Sequence, residues 1–365
     1  MSSSSPSSLE KEKSIFLRAQ KSVWDENGKI KQTRWQLYIL DTPRTTSSEA
    51  AADRGDNRAG QRLRLFSEMP PCFPSNSGCV ALESVIYVLG GHEKTTSPEV
   101  FYLDTRFPNT GWKKGPSMNR GRSEPHGAVI NGNIYVMGDC NNSFYGDNSP
   151  DSPDNASSEP WVEVLDPFLS EWKTLPSHPQ LPYSGISSIV VIDSGKKILV
   201  HPSPSHQSKS LFSYDVKEKS WDLIDKEFSS KFHDFQTPCV VLDDVLYYFS
   251  RRVRAYDLAK REWFEEPVRG LEGIGVSPPL QETNGYGSPE ANFPRAFLVH
   301  VGNGKLCLVW EAWGGSYKRK NIHCTKFRVS KQSDEGGETI LWAIIESLTV
   351  YPTDDVHRLV DCLAI

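Results

Sequence analysis

The chain has 365 residues, a formal net charge of −5, 37% hydrophobic and 24% charged residues, and 10 Trp, 25 Pro and 26 Gly. This balance excludes a disordered chain, and it lacks the basic field that would select nucleic acid or an anionic membrane. Aromatic and turn-forming residues together favour an all-β chain, and no run approaches the ~20 apolar residues of a membrane helix.

Residues 1–13, "MSSSSPSSLEKEK", lack the apolar core of a secretory leader and read as a disordered Ser-rich terminus. Three strands follow, in residues 14–19, 34–41 and 62–70. Then "VIYVLGG" sets five apolar residues, Val85 to Leu89, ahead of Gly90 and Gly91. A phosphate cradle would open a helix with spaced glycines. This pair instead leaves one strand and leads through a loop to another, "EVFYLD", which ends at Asp104. Glycine there permits a positive φ as the chain turns out of a sheet, so the pair reads as a joint. Trp112 comes next.

The pattern returns. "HGAVINGNIYVMGD" pairs two strands through a tight turn and puts Gly138 at the joint, and "WVEVLDPFLSEWKTLP" supplies Asp166 and Trp172. "ISSIVVIDSGKKILVHP" precedes Asp215 and Trp221, and "TPCVVLDDVLYYFS" precedes Asp257 and Trp263. A last unit reads "RAFLVHVGNGKLCLVWEAW", "NIHCTKFRV" and "TILWAIIESL", with Trp342.

In three units the Asp stands six residues before the Trp, and successive Trp residues lie about 40–60 positions apart, a repeat-array period. Each unit is four short antiparallel strands. Such a sheet cannot bury both faces alone, but sheets stacked radially can, which predicts a β-propeller. The Trp is expected as a wedge between blades, and the Asp as an acceptor for backbone N–H groups in the tight turn. Five repeats span about 78–116, 126–176, 186–224, 237–266 and 295–348. Residues 14–70 lack one strand, which 357–365 can supply, so six blades and a ring closed without an exposed edge are expected over 14–365.

"IYVLGG", "NIYVMGD", "WKKGPSM" and "VEVLDPFLSEWKTLP" resemble kelch repeats. "VFYLDTR", "GPSMNRGR", "VVLDDVLYYF" and "GKLCLVWEAW" are similar to the plant F-box/kelch-repeat proteins in particular. The resemblance implies a six-bladed kelch propeller that recognises protein targets for an SCF-type ubiquitin ligase. In that family an F-box of about 40–50 residues, which docks on a Skp1-like adaptor, precedes the propeller. Only "MSSSSPSSLEKEKS" precedes the first strand here, without a Leu-Pro opening or an amphipathic helical pattern. The adaptor would therefore bind only if an F-box is supplied elsewhere. The alternative is a stand-alone kelch scaffold that competes for the same targets.

Catalysis is the competing class. Some kelch propellers are metal enzymes, but the E-x-x-x-D-x-x-x-H pattern of the specifier proteins is missing, as is any G-x-S-x-G turn. The seven Cys include no C-x-x-C pair and suit buried free thiols in a reducing compartment. His201 and His206 in "HPSPSH", Asp147, Asp151 and Asp154 in "YGDNSPDSPD", and Cys140 read as ordinary loop residues. No enzyme activity, cofactor or metal is expected. The chain is expected to be a cytoplasmic or nuclear monomer that binds neither nucleic acid nor membrane.

In a kelch blade, the loop after the second strand and the connection to the next blade open on one face. The resemblance places residues 139–160, 201–210, 119–126 and 267–294 in those classes, the last as a flexible polar connection, and 45–61 on the opposite face. Loops on a rigid scaffold carry recognition, and Arg and Tyr are enriched at hot spots. The expected partner contacts are Arg120, Arg122, His126, Tyr145, Tyr183, Phe235, Arg251 and Tyr286.

Overall fold

The computed structural model describes residues 11–24, 30–40, 63–70, 73–92, 95–138, 161–176, 178, 186–192, 195–202, 209–229, 239–274, 296–313, 320–333, 336–353 and 358–365. Among them there are strands, tight turns and short 3₁₀ turns, but no α-helix. Strands β1 (Ile15–Trp24), β2 (Ile30–Leu40) and β3 (Leu63–Glu68) begin the chain. Blade 1 holds β4 (Gly78–Leu82), β5 (Val85–Leu89), β6 (Val100–Asp104) and β7 (Lys113–Lys114). Blade 2 holds β8 (His126–Ile130), β9 (Asn133–Met137), β10 (Val162–Asp166) and β11 (Glu171–Leu175). Blade 3 holds β12 (Ile186–Ile192), β13 (Lys197–Pro202), β14 (Leu211–Asp215) and β15 (Ser220–Asp225). Blade 4 holds β16 (Val240–Leu242), β17 (Val245–Ser250), β18 (Arg252–Asp257) and β19 (Glu262–Trp263). Blade 5 holds β20 (Ala296–His300), β21 (Leu306–Trp313), β22 (Lys320–Ser333) and β23 (Thr339–Thr353). The last strand, β24 (Arg358–Ala364), joins the first sheet in the order β24-β1-β2-β3. Every sheet is four-stranded, and each of the five blades runs in chain order. Both ends of the chain thus build one sheet, as the missing-strand argument requires.

Strand position explains composition. The second strands β5, β9 and β17 are buried along almost their whole length, so they read as continuous apolar runs. The outer strands β11 and β15 alternate exposed and half-buried positions and carry Glu, Lys and Asp. The first hairpins turn in two residues: Leu82 pairs with Val85, Ile130 with Asn133 and Leu242 with Val245. Asn131 and Gly132 have φ of 51° and 77°, the left-handed pair of a type I′ turn. Asp243 and Asp244 adopt 51° and 58° without a glycine. Replacing Asp244 with Gly is expected to stabilise the protein by about 1 kcal/mol, because the left-handed region strains any Cβ. Leu258 N–H donates to the backbone oxygen of Asp244 at 3.1 Å, and glycine keeps that bond. A lower urea midpoint for this variant would contradict the turn argument.

The third and fourth strands meet through a repeated device. The Asp166 Oδ1 accepts the N–H groups of Phe168 and Leu169 at 3.0 and 3.2 Å. Asp215 does the same for Lys217 and Glu218, and Asp257 for Ala259 and Lys260. Asp104 accepts from Arg106 N and side chain, and this bonding pulls its carboxyl down to about 2. The residue closing each longer turn, Ser170, Lys219 or Arg261, has φ between 52° and 59°. After that turn comes the Trp. Trp172 Nε1–H donates to Pro116 O at 2.9 Å, Trp221 to Pro176 O at 3.1 Å, and Trp263 to Phe228 O at 2.8 Å. Each bond ties a blade to the one before it, so the wedge also carries a directional contact.

The described chain divides into two compact units. One comprises Met1–Phe66, Arg251–Ala255 and Phe264–Ile365. Its core joins Ile15, Leu17 and Tyr38 to Phe297, Val309, Ile322, Tyr351 and Leu359. The other comprises Ser67–Ser250 and Tyr256–Trp263. Its core is layered, with clusters around Tyr87, Leu89 and Val136, around Tyr135, Ile198 and Tyr214, and around Leu199, Phe228 and Tyr256.

Four sequence expectations change here. Trp342 is no wedge, since it lies 38% exposed on the outer strand β23. Trp112 precedes the two-residue β7 and meets Phe73 edge-on at 5.4 Å, without the backbone bond of its counterparts among the described residues. His201 belongs to strand β13 and is 2% exposed, so it is a core residue and not part of a loop; His206 lies outside the described residues. The connection after blade 4 starts as ordered structure. Arg269 N–H donates to Leu341 O, Arg269 O accepts Ala343 N–H, and Val268 and Leu271 are buried. Apolar side chains spaced through a polar stretch were the sign of it.

Candidate functional site

The glycine joint of blade 1 is a backbone crossing. Gly90 and Gly91 have φ of 58° and 119°. Gly90 N–H donates to Glu99 O, Gly91 N–H to Arg122 O and His92 N–H to Ser75 O, all within 2.7–2.8 Å. A Cβ on Gly90 would lie 2.6 Å from Arg122 O, and one on Gly91 2.5 Å from the Pro74 Cβ. Both the angle and the space therefore require glycine.

Arg122 connects this joint to the next. Its side chain is 0% exposed. Nη1 donates to Gly138 O at 2.8 Å and Trp161 O at 2.9 Å, while Nη2 meets Glu163 Oε2 at 2.9 Å. Nε also donates to Glu163 Oε2 at 3.3 Å. Glu163 is equally buried, and its Oε1 accepts Asn119 N–H at 2.9 Å. Gly138 and Trp161 are the described residues at either end of the insertion in blade 2. One guanidinium thus holds both ends of that insertion and, through its own carbonyl, the joint of blade 1. The planar fork of Arg makes this multidentate grip possible, where a Lys point charge could not.

Arg122 is therefore not a partner contact: a fully buried side chain with its donors engaged offers nothing to a ligand. His126 is a correction of the same kind. It is half-buried, and its Nε2 bonds Ile186 O at 2.9 Å. Burial pulls the His126 ring down to about 4, against the bond to Ile186, and burial does the same to His201. Below pH 6.5 the unfolded chain takes up protons that these folded rings refuse until about pH 4. Stability present above pH 6.5 is thus lost as the pH falls through that window, by roughly 3 kcal/mol for each ring that titrates fully. Urea midpoints at pH 7, 5.5 and 4.5 measure it, and a flat profile would refute the buried neutral rings.

Of the other expected contacts, Arg251 is exposed, with φ of 56°, as the single residue between β17 and β18. Arg120 is half-buried beside Asn119. Tyr145, Tyr183, Phe235 and Tyr286 lie outside the described residues. Sequence reasoning missed Glu163. The signal was there: Glu163 stands where the third strands of blades 1 and 3 carry Phe101 and Phe212. A carboxylate where two sister strands carry a Phe calls for a buried cation.

Among the described residues no group of three His, Cys, Asp or Glu is placed to hold a metal ion. A small cavity lined by Ser188, Leu199, His201, Phe228 and Cys239 has room for about one water.

Six four-stranded blades with repeating Asp turns and Trp ties define a β-propeller built from kelch-type repeats. Residues 37–350 match the model of the FKB95 kelch-repeats domain, and the chain belongs to that family. Similar curated proteins come from Arabidopsis thaliana. A putative F-box/kelch-repeat protein is 27% identical over 82% of this chain and 72% of its own length. An F-box/kelch-repeat protein is 28% identical over 80% of this chain and 66% of its own length. Another is 25% identical over 98% of this chain and 88% of its own length.

Proposed function

We propose that this propeller is a protein-binding module that selects targets for an SCF-type ubiquitin ligase, rather than an enzyme. The observation carrying the reading is the family match over residues 37–350 together with relatives named F-box/kelch-repeat proteins. The blade scaffold supports it: backbone joints and the Arg122 grip fix where loops leave the sheets, and rigid launch points lower the ordering cost of binding. Exposed Arg251 and half-buried Arg120 are the proposed contacts within the described residues, with Tyr145, Tyr183, Phe235 and Tyr286 alongside them.

Affinity capture of the full chain from plant tissue, with and without proteasome inhibition, tests the proposal. A client that accumulates under inhibition is the expected result, with a Skp1-like adaptor recovered only where an F-box is supplied elsewhere. A client without any adaptor would leave a scaffold in place of a ligase subunit. With a client in hand, Arg251→Ala should weaken its binding about tenfold, or ~1.4 kcal/mol.

A further inference from the structure

Blade 5 buries a cluster of thiols that the binding role does not use. Cys307 on β21 and Cys324 on β22 place their Sγ atoms 3.1 Å apart. Cys362 on β24 belongs to the same buried cluster. The register explains the approach. Cys307 pairs with Lys326 and Cys324 with Val309, so the two cysteines are diagonal neighbours across adjacent antiparallel strands. Diagonal neighbours share one face of the sheet, and here the two short side chains turn toward each other until their sulfurs meet. All three residues are free thiols.

We propose that Cys307 and Cys324 are a paired oxidation site, converted by a peroxide into a disulfide that links β21 to β22.

The two sulfurs are not equivalent. Cys324 is lowered from the usual thiol value, first by the hydrogen bond from Cys307 and then by the nearby Lys326 charge, against burial. Burial pushes Cys307 and Cys362 up. Lys326 is held in place by an ion pair with Glu12. Both residues are buried, so the oxidant reaches them only as the fold breathes. The roles follow. The Cys324 thiolate attacks one peroxide oxygen; an S–O bond forms, the O–O bond breaks and hydroxide leaves as water after protonation. The Cys307 sulfur then gives up its proton and displaces the hydroxyl of the sulfenic acid. The S–S bond forms, the S–O bond breaks, and a second water leaves. Two thiols lose two electrons and two protons, and the peroxide is reduced to two waters. Cys362 stays a thiol because Cys307 already stands in contact with the attacking sulfur.

The test treats the purified, reduced full chain with a few molar equivalents of hydrogen peroxide. Free thiols are alkylated under denaturation, and peptides are mapped by mass spectrometry without reduction. The expected main cross-link joins the Cys307 and Cys324 peptides and disappears on reduction. The chain oxidised in urea should instead give mixed pairings, since only the fold sets the proximity. In Cys307→Ser, which keeps a hydrogen-bond donor beside Cys324, the sulfenic acid at Cys324 should persist and be trapped by dimedone, and Cys362→Ala should leave the cross-link intact. Recovery of both cysteines in alkylated form from the oxidised folded chain, or a cross-link running to Cys362, would overturn the assignment. If Cys307→Ser does not fold, the wild-type map decides alone.

Discussion

Replacing Arg122 with Met lowers the unfolding free energy by about 3–5 kcal/mol, the expected cost of stranding one partner of a buried pair. Glu163 would keep only the Asn119 N–H on Oε1, and its Oε2 would lose every donor the structure gives it. The carbonyls of Gly138 and Trp161 would lose the Arg122 donor as well. Arg122→Lys should cost nearly as much, because one ammonium cannot span both carbonyls and the carboxylate. The double variant Arg122→Met, Glu163→Met should recover part of the loss by removing the buried charge, yet the bonds from Arg122 to two carbonyls and from the Asn119 N–H to Glu163 stay lost. Urea denaturation of the three variants measures all of this. A loss under 1 kcal/mol for Arg122→Met would mean that water satisfies the site and the grip is incidental.

Deleting β24 is the second large effect. The strand pairs with β1 from Ile15–Ala364 to Gln20–Arg358 and supplies one edge member of the first sheet. Leu359 is 0% exposed, and its N–H donates to the buried Glu311 carboxylate. Arg18, also buried, donates through Nε to Asp361 Oδ2 at 2.6 Å and lies over the Trp35 ring at 5.4 Å. Truncation before Arg358 would remove the Asp361 carboxylate from Arg18 and the Leu359 N–H from Glu311, bare one edge of β1 and expose Leu17. The sum exceeds roughly 5 kcal/mol, the lower end of a typical folding margin, so the truncated chain is expected not to fold cooperatively. Leu359→Ala, at about 3 kcal/mol, tests the packing without removing the strand. A truncated chain that melts at the wild-type temperature would sink the closure argument.

These two sites differ in how far they could be read beforehand. The need for a closing strand followed from counting: three strands at one end, one apolar segment at the other, and a sheet that wants four. The Asp turns and Trp ties followed from their fixed spacing, since a hairpin of set length puts the same side chains in the same places. The grip of Arg122 did not. Arg122 sits in a loop beside Arg120 and Glu124, and nothing local separates a buried arginine from an exposed one. Its partner is 41 residues away, and only the blade-to-blade connection brings them together. His126 and Trp342 were misjudged for the same reason, because residue type sets what a side chain can do and burial sets what it does.

By itself the sequence determined the period, the four-stranded unit, the turn chemistry and the glycine joint, all of which depend on residues close in the chain. Tertiary structure decided which loop residues face solvent, that one arginine holds two joints, and that cysteines 17 positions apart lie in contact. Burial and long-range pairing are properties of the assembled sheets, and no window of the sequence contains them.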